Sequence, residues 1–519
     1  MAGGTGVRQR TSTRRGRLAP AAAVAALALA LAAGCAGPVR FPETPLAATP
    51  SDAGILRTYD TDADGQANYF TTENADGRIV RIGYDTARDG RPDSFVNLDD
   101  IAAADCRHVV IILDGIGYET VRAYQEGGGL RLFHPPAPVV STFPAMTDIA
   151  LADVFQSTRC YGMEAVYFDH ATNRLMGGDG DYLSMKNESW ARHTDYRAAT
   201  IVDPLAYLFP DHYFKQELAD VRALFERRDR SLLVAYLVST AGLGTKDMAD
   251  GQRRVLDAID RLAGELVWRT RGLVKLTLLS DHGHALVRCQ WVDFRKFLAE
   301  KGWNVRDRLD GPRDVVPIEY GLVTYASYAT RDRAGLAATL VEHEGVDVVA
   351  WVEGDAVAVA SADGKALIER RGSRYRYRAA SGDPLRLKSI VEQATSAGNV
   401  FDADGFADDR AWLRLTSAHD YPDALDRLWR AFHGQTENVP DVLASLKLGY
   451  DAGLASRAWR FPDGASTHGD LTRRGSLAFI MSTTRPIAPE WGPLRARDLA
   501  GILDDLTGRP WPPPRKDQP

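Results

Sequence analysis

The sequence contains little cysteine, only 4 residues in 519. One of them, Cys35, lies in the N-terminal segment, and the other three are Cys106, Cys160 and Cys289. These three stand at unrelated spacings, whereas cysteine zinc sites repeat short, regular spacings. We therefore interpret the three thiols as packed or unpaired. In an exported protein the alternative is one disulfide with one cysteine left over.

The chain also lacks an excess of positive charge, since its net charge is -6. A nucleic-acid surface needs a basic stripe, so binding to a nucleic-acid duplex is not expected. Apolar residues at 45% and charged residues at 25% are ordinary for a globular protein. With 519 residues, the chain is long enough for one large domain with insertions, or for two or three domains.

The N-terminal apolar run is too short for a membrane span. It covers residues 18–33, is rich in alanine and follows five arginines. It ends in LAAGC, which resembles a bacterial lipoprotein cleavage box in which Cys35 is acylated, although Ala32 stands where leucine is usual. We expect residues 1–35 to be the signal peptide of an exported, membrane-anchored lipoprotein on the periplasmic or cell-surface face. Plain secretion after AGCAG and a twin-arginine route are the alternatives.

Two Asp-rich repeats follow a Pro/Ala-rich stretch, residues 36–56, which we expect to be a tether. Within residues 57–100, YDTDADGQAN is echoed by YDTARDGRPD. Asp60, Asp62 and Asp64 provide the oxygen ligands that begin a calcium loop, but Thr71 stands where an EF-hand needs an acid. The hypothesis we favour is a pair of β-hairpins with Asp-Gly turns, and Ca²⁺ binding is the alternative.

Three continuous apolar runs are typical of parallel strands that are buried on both faces. They are HVVIILDG, SLLVAYLVSTAG and VKLTLLSDHGH, the second continuing into a glycine-containing loop. Helical patterns lie between them, so residues 101–304 predict an α/β core, an α/β/α sandwich with a mostly parallel central sheet. Ligands of such folds bind beyond the carboxyl ends of the strands.

Residues 305–450 have a different pattern and predict an α+β cap inserted into the core. A strand in YGLVTYASYAT and a helix in RAGLAATLVEHE precede a predicted β-meander over residues 346–378. The basic stretch RRGSRYRYR is interpreted as a solvated strand pair, with an anion-facing role as the alternative. Residues 451–519 are assigned to the return of the core and the C-terminus, because STHGDL brings back site-like residues.

Polar side chains follow two of the predicted strands directly. Asp114 comes after VVIIL, while Asp281 and His282 come after VKLTLLS. A carboxylate at the tip of a buried strand has few partners other than a cation, and zinc accepts oxygen and imidazole together. Each motif alone is also compatible with a structural turn, but the two together predict a metal site.

The segment VVSTFPAMTDIALADVF contains a candidate nucleophile. Pro144 suits the first turn of a helix, which would place Ser141 or Thr142 at the N-cap. Unpaired N–H groups and the helix dipole favour an anion at that position. An ordinary Ser/Thr N-cap is the structural alternative.

Together LDGIGY, STFPAMT, SDHGH and STHG resemble the alkaline phosphatase superfamily, most closely its type I phosphodiesterase/nucleotide pyrophosphatase branch. The motifs stand in the family's order. The resemblance implies two zinc ions about 4 Å apart that clamp a phosphoryl group. It implies that the first ion is held by Asp114, Thr142, Asp281 and His282, with Thr142 as the nucleophile.

The resemblance also implies a second metal, held by the Asp and His of a D-x-x-G-H loop and by His468 in STHGDL. The corresponding loop here is AGLGT, with Ala241 in place of the Asp and Thr245 in place of the His. Two of the three protein ligands are therefore replaced. Lys246, next to the replaced position, is a candidate cationic substitute, and Asp247 is a candidate substitute carboxylate.

Three functions are compatible with these residues. The first is an exported metal-dependent phosphoric-ester hydrolase that acts on a phosphorylated small-molecule or lipid-derived substrate. The second is a pseudoenzyme of the same fold that binds an anionic ligand or a partner without turnover, as Ala241 and Thr245 suggest. The third, a transferase of lipid head groups, ranks last because the chain has no membrane span of its own to hold a lipid.

We expect the protein without its first 35 residues to bind one zinc ion tightly per chain, because the second site has lost most of its ligands. Elemental analysis after dialysis measures this stoichiometry. Two firmly bound ions per chain would contradict the expectation.

Overall fold

The computed structural model describes residues 41–42, 44–51, 54–227, 230–398, 400–488 and 492–514. The predicted signal peptide, Cys35 and the start of the tether lie outside these residues. Among the helices that are described, none is both long and apolar enough to cross a membrane.

A five-stranded antiparallel meander precedes the core. Its strands are β1 (Ala47–Ser51), β2 (Gly54–Tyr59), β3 (Tyr69–Glu73), β4 (Ile79–Tyr84) and β5 (Ser94–Asn97). The Asp-rich repeats form the β2–β3 and β4–β5 hairpin loops, as the hairpin hypothesis predicts. Gly65 and Gly90 have φ values of 89° and 80° in these loops, which glycine adopts without strain. The expected tether differs, because β1 pairs with β2 and Phe41 packs against Trp268.

The first part of the core alternates strands and helices. Its elements are β6 (Arg107–Leu113), α1 (Tyr118–Glu126), β7 (Ala137–Val140), α2 (Thr147–Val154), β8 (Val166–Asp169), β9 (Arg174–Gly177), α3 (Asp179–Leu183), α4 (Asp203–Leu208), α5 (Pro210–Arg227), β10 (Leu232–Leu237), α6 (Ser239–Arg269) and β11 (Val274–Leu279). Short 3₁₀ helices cover Leu98–Asp100, Ala103–Asp105, Ser189–His193 and Thr200–Val202.

The cap and the return of the core follow. The cap region contains β12 (Gln290–Trp291), α7 (Phe294–Glu300), β13 (Asn304–Val305), β14 (Asp314–Ile318), β15 (Leu322–Val323), β16 (Tyr325–Thr330), α8 (Arg333–Val341), β17 (Val346–Glu353), β18 (Ala356–Ser361), β19 (Gly364–Arg371), β20 (Arg374–Gly382), α9 (Lys388–Ala397), β21 (Ala407–Asp408), α10 (Asp409–Thr416), α11 (Ala424–Phe432), β22 (Val442–Leu446) and β23 (Tyr450–Gly453). The return contains α12 (Ala455–Ala458), α13 (Arg473–Ser476), β24 (Leu477–Ser482), β25 (Leu494–Arg495), a 3₁₀ turn (Ala496–Asp498) and α14 (Leu499–Thr507).

The central sheet has the strand order β10-β6-β11-β24-β7-β25. Among these six strands only β24 runs antiparallel to its neighbours. Val109 and Ile111 of β6 pack on the face that α5 and α6 cover, whereas Val110 and Ile112 pack on the face of α2 and α14. The predicted α/β/α sandwich with a mostly parallel sheet is therefore confirmed.

The cap is built on a nine-stranded sheet, in which β17 to β20 form the predicted meander. The arginines of the basic stretch pair with acids of the cap itself. Arg376 and Arg378 contact Glu369, and Arg374 contacts Asp402. These pairs favour the interpretation of a solvated strand pair.

Cys106, Cys160 and Cys289 are buried and form no disulfide with one another, as the favoured interpretation predicts.

A buried ion-pair cluster joins the cap to the core. Arg495, at the end of core strand β25, contacts Asp423 at 2.6 Å just before α11 and Asp409 at 2.8 Å in α10. The Arg495 and Asp423 side chains are 4% and 1% exposed, so neither charge has access to water as a replacement partner. Such a pair stabilises the structure mainly because breaking it leaves a buried, uncompensated charge.

We expect Arg495→Met to lower the free energy of unfolding by about 3–5 kcal/mol, because Asp423 is left buried without its partner. Urea denaturation measures the change. Arg371→Met is the matched control, since Arg371 and Asp404 are both largely exposed and such pairs contribute about 1 kcal/mol or less. Equal losses in the two variants would contradict the role of burial.

Candidate active site

Asp114 and Asp281 meet because β6 and β11 are parallel neighbours. Leu279 pairs with Ile112, so the residues that follow the two strands emerge at the same edge of the sheet. Asp281 Oδ1 accepts the backbone N–H groups of Gly115 at 3.0 Å and of His282 at 2.9 Å. These bonds fix the Asp281 carboxylate and leave its other oxygen facing Asp114 and His282.

Asp114, Asp281 and His282 form a group whose ligand atoms lie within 4.8 Å of one another. His282 Nδ1 lies 2.8 Å from the Gly283 carbonyl, so Nδ1 carries the proton and Nε2 presents a lone pair. Nε2 lies 3.2 Å from Asp281 Oδ2 and 3.6 Å from Asp114 Oδ1. Neither of these buried oxygens has a hydrogen-bond partner among the described residues.

The arrangement of three acceptors around one point fits a divalent cation. Burial and the neighbouring Asp281 raise the pKa of Asp114 well above its usual value, and burial raises that of Asp281. Burial also lowers the pKa of His282 to about 4, so the imidazole is neutral at neutral pH. Two buried carboxylates can both ionise here only with a compensating positive charge, which a metal ion supplies.

Two side-chain hydroxyls adjoin this group: that of Tyr236 donates to Asp114 Oδ2 at 2.5 Å, and the other belongs to Thr147. Its Oγ1 lies 3.2 Å from His282 Nε2, and Thr147 is the first residue of α2.

The predicted nucleophile Thr142 instead donates its hydroxyl to the Pro144 carbonyl at 2.9 Å. Thr142 is not among the residues that line the cavity next to the metal group. Thr142 lies away from the group because α2 begins at Thr147. Its N-cap is Met146, whereas the sequence predicted Ser141 or Thr142 at that position.

His468 lies with the group, and its ring stacks on that of His282 with centroids 3.8 Å apart. His468 Nδ1 lies 2.8 Å from the Ala145 carbonyl and donates to it, so Nε2 is an acceptor. Burial and the adjacent His282 lower the pKa of His468 to about 3. His468 is therefore a neutral, fixed imidazole at the edge of the site.

The segment that carries Ala241 and Thr245 is helical, whereas the sequence predicted a loop. It forms the first turns of α6, which is interrupted at Met248 with φ 52°. The exposed Lys246 donates to the Leu208 carbonyl at 3.3 Å, and Asp247 pairs with Arg254. Neither proposed substitute is directed at the metal group.

His284 occupies the room beside Ala241. A Cβ added at Gly115 would lie 3.3 Å from His284 Cδ2 and 3.7 Å from Ala241 Cβ, and one added at Gly244 would lie 3.2 Å from His284 Cδ2. His284 Nδ1 lies 3.0 Å from the Ser466 hydroxyl. Its buried Nε2 has no hydrogen-bond partner within the described part of the chain.

A cavity of about 260 Å³ adjoins the metal group. Asp114, Thr147, Thr245 and His468 line it on the side of the group. The remaining lining includes apolar, aromatic and charged side chains, such as Met146, Met163, Tyr182, Trp190, Tyr207, Tyr320, Arg197 and Glu188. A concave site with apolar walls and a few convergent polar groups suits a small-molecule ligand.

Asp60, Asp62 and Asp64 also lie within 4.8 Å of one another. The Asp60 carboxylate accepts the N–H groups of Asp62, Ala63 and Gly65, as a plain Asp turn does. Calcium binding at this loop stays a prediction.

Sequence reasoning missed Thr147, His284 and the carboxylates around Arg197. Thr147 and His284 stand inside quoted motifs, STFPAMT and SDHGH, and are chemically competent residue types. A signal was therefore present for both. Which hydroxyl of STFPAMT reaches His282 depends on where α2 begins.

Comparison with known proteins shows similarity to solved structures. No protein-family model and no curated protein matches the sequence. Human ectonucleotide pyrophosphatase/phosphodiesterase 5 matches at 11% identity with a TM-score of 0.43, over 79% of this chain and 97% of that one. The murine protein, an inactive variant in complex with AMP, matches at 11% identity and 0.43, over 78% and 95%. These two structures are of nucleotide pyrophosphatase/phosphodiesterases, the branch that the sequence motifs resemble.

We expect Ala241→Asp with Thr245→His to create a second zinc site only when His284→Ala is added, because the imidazole fills the room beside Ala241. The triple variant should bind two zinc ions and hydrolyse bis-p-nitrophenyl phosphate about 10²-fold faster than the wild type. Elemental analysis and initial rates measure the two effects, with His284→Ala alone as the control. A second ion in the double variant with His284 intact would contradict the packing argument.

Proposed function

We propose that this protein is a metal-dependent phosphoric-ester hydrolase whose nucleophile is the Thr147 hydroxyl. The observation that carries the proposal is the position of this hydroxyl, 3.2 Å from His282 Nε2 at the cavity wall. It adjoins two carboxylate oxygens, of Asp114 and Asp281, that lack partners among the described residues. Together these four side chains would hold one divalent cation, and zinc suits such a mixed oxygen and imidazole set.

A bound cation would lower the pKa of the Thr147 hydroxyl and polarise a phosphoryl oxygen. The chain itself contributes the position of the nucleophile. Thr147 opens α2, whose first-turn N–H groups lack intrahelical partners and stabilise negative phosphoryl oxygens. The hydroxyl oxygen forms the new bond to phosphorus and gives up its proton, through solvent, to the ester oxygen, which leaves as the alcohol. Water then cleaves the phosphothreonine, which releases the phosphate product and restores the Thr147 hydroxyl.

We propose for His468 a role other than the metal ligand that the resemblance implies. With Nδ1 bonded to the Ala145 carbonyl, its Nε2 lone pair is an acceptor for a water at the cavity wall. We infer that it orients the water that cleaves the phosphothreonine. An imidazole that orients this water would replace the water activation that a second metal provides, and hydrolysis of the phosphothreonine would be slower than with two metals.

Ligand binding without turnover is the second candidate function, and it is favoured by one observation. Ala241 has no ligand atom, and the His284 ring packs beside it between Gly115 and Gly244. Such a site would keep the affinity of one cation and the α2 N-terminus for a phosphate, but hydrolyse it slowly or not at all.

We further propose that the protein works outside the cytoplasm, held to a membrane by an acylated Cys35. The support is the arginine-rich start, the short apolar run and LAAGC in the sequence. Its substrate would be a phosphorylated small molecule or a lipid-derived ester. Metabolic labelling with a fatty acid, compared between wild type and Cys35→Ala, tests the anchor.

We expect Thr147→Val to lower kcat/KM for bis-p-nitrophenyl phosphate by about 10³-fold or more, because the substitution removes the nucleophile and keeps the side-chain shape. Thr142→Val is the matched control and should keep most of the activity, since the Thr142 hydroxyl only bonds Pro144. The opposite ranking would return the nucleophile to Thr142. A wild type that binds one zinc ion and phosphate without turnover would favour the second candidate function.

A further inference from the structure

The wall of the cavity next to the metal group contains more carboxylates than guanidinium groups. Its described lining includes the carboxylates of Asp114, Asp148, Glu164, Glu188 and Asp203, against the guanidinium groups of Arg197, Arg457 and Arg460. Arg457 pairs with the exposed Asp179, and Arg460 is itself exposed. The interior of the cavity is therefore more negative than its solvent side.

Three of these carboxylates cluster around Arg197. Its NH2 group lies 2.6 Å from Glu188 and 2.9 Å from Asp203. The third, Asp148, directly follows Thr147 and accepts the Trp190 indole N–H at 3.0 Å. One arginine thus faces three carboxylates. Burial together with the Asp148 charge raises the pKa of Glu188 to about 8, so Glu188 is mostly protonated at neutral pH and Asp148 and Asp203 are left to share the single charge of Arg197.

In this cluster Asp203 Oδ1 and Arg197 Nε are buried without hydrogen-bond partners among the described residues, and Glu188 Oε2 has only its ion pair with Arg197. Asp203 is 4% exposed, and its Oδ2 accepts from Tyr182 and Arg197. Its Oδ1 is buried without a hydrogen-bond partner among the residues that the structure describes. A buried acceptor of this kind is costly unless a donor reaches it, so the site calls for an N–H or O–H group.

This excess of negative charge conflicts with an anionic substrate unless the substrate itself brings a cation. The inference rests on the proposed function, in which a phosphoryl group lies at Thr147. Asp148 lines the same cavity as Thr147, so an ionised Asp148 carboxylate would repel phosphoryl oxygens that are bound there. A positive group between the phosphoryl group and the carboxylates would remove the repulsion.

A second metal ion fits this position poorly. Within the described residues, only two groups of three carboxylate or imidazole ligands lie within 4.8 Å of one another, and neither contains Asp148, Glu188 or Asp203. An ammonium group can bond carboxylates that are farther apart, because its three N–H donors point in different directions. The nearby rings of Trp190 and Tyr182 also attract an organic cation.

We propose that the cavity selects phosphoric esters of a primary amino alcohol, with the ammonium group bound between Asp148 and Asp203 while the phosphoryl group lies at Thr147. The unfilled Asp203 acceptor requires an N–H or O–H donor, and the carboxylates require a positive charge. A primary ammonium provides both, whereas a trimethylammonium group has no donor. Thr147 and Asp148 are consecutive residues with Cα atoms about 3.8 Å apart, and both line the cavity, so a short alcohol such as 2-aminoethanol suits the site.

Three p-nitrophenyl phosphodiesters of the same length test the proposal, with 2-aminoethyl, n-propyl and 2-(trimethylammonio)ethyl as the second ester group. We expect kcat/KM for the 2-aminoethyl ester to exceed that for the neutral n-propyl ester by about tenfold or more. The trimethylammonio ester should be intermediate. A ratio near one between the first two esters would overturn the proposal, and release of p-nitrophenol from the n-propyl ester would still support the hydrolase.

Asp148→Asn locates the selectivity. It keeps an acceptor for Trp190 and removes the charge, so the 2-aminoethyl to n-propyl ratio should fall towards one. Asp250→Asn is the matched control, because Asp250 is exposed and is not among the described residues that line the cavity, and it should keep the wild-type ratio. An unchanged ratio in Asp148→Asn would overturn the proposal, as would a second tightly bound divalent ion that this substitution releases.

Inhibition of the wild type provides a measurement that needs no variant. 2-Aminoethyl phosphate should inhibit hydrolysis of bis-p-nitrophenyl phosphate about tenfold more strongly than n-propyl phosphate. Equal inhibition constants would overturn the proposal. If the wild type turns over none of the esters, the same two compounds are compared by calorimetric titration, with the same expected ratio of Kd values.

Discussion

The parallel pairing of β6 with β11 is the constraint on which the site depends. It fixes Ile112 opposite Leu279, so Asp114 and Asp281 leave the sheet side by side. One oxygen of Asp281 then accepts two backbone N–H groups and holds the turn. The other oxygen is left beside Asp114 and His282. A structural role for one oxygen thus determines where the second one points.

The cost of that arrangement is electrostatic, because Asp114 Oδ1 and Asp281 Oδ2 are buried without a hydrogen-bond donor among the described residues and both face the His282 Nε2 lone pair. Such a group is unfavourable unless a cation compensates it, which makes metal binding and local stability one problem. The N-terminus of α2 adds a second positive influence on the side of Thr147. A cation bound at this group would attract an anion, and we propose that the carboxylates around Arg197 restrict which anion is accepted.

The cap contributes to the site indirectly. Arg427 of cap helix α11 donates to the Thr142 carbonyl at 2.9 Å and also to Ser476, which ends α13 next to core strand β24. Thr142 is consequently an anchor of the turn that precedes α2, and Thr147 is what the turn presents. The buried contacts of Arg495 with Asp423 and Asp409 fix the same cap helices to the core sheet. Loss of the Arg427 contacts would therefore displace Thr147 indirectly, through the turn that precedes α2.

Local patterns in the sequence determined the three buried strands, the sandwich built on them and the carboxylates and imidazole at their ends, because continuous apolar runs and strand-tip acids are short-range signals. The resemblance to the alkaline phosphatase superfamily, and no local pattern, implies that Ala241 and Thr245 replace metal ligands. Only the tertiary structure decided which hydroxyl lies beside His282. The turn that precedes α2 is held by the contact of Arg427 with the Thr142 carbonyl, and Arg427 is distant from it in the chain. The tertiary structure also decided that His284 fills the space beside Ala241 and that Asp148, Glu188 and Asp203 share one arginine, because these residues are distant in the chain and meet only when the sheet and its helices are assembled.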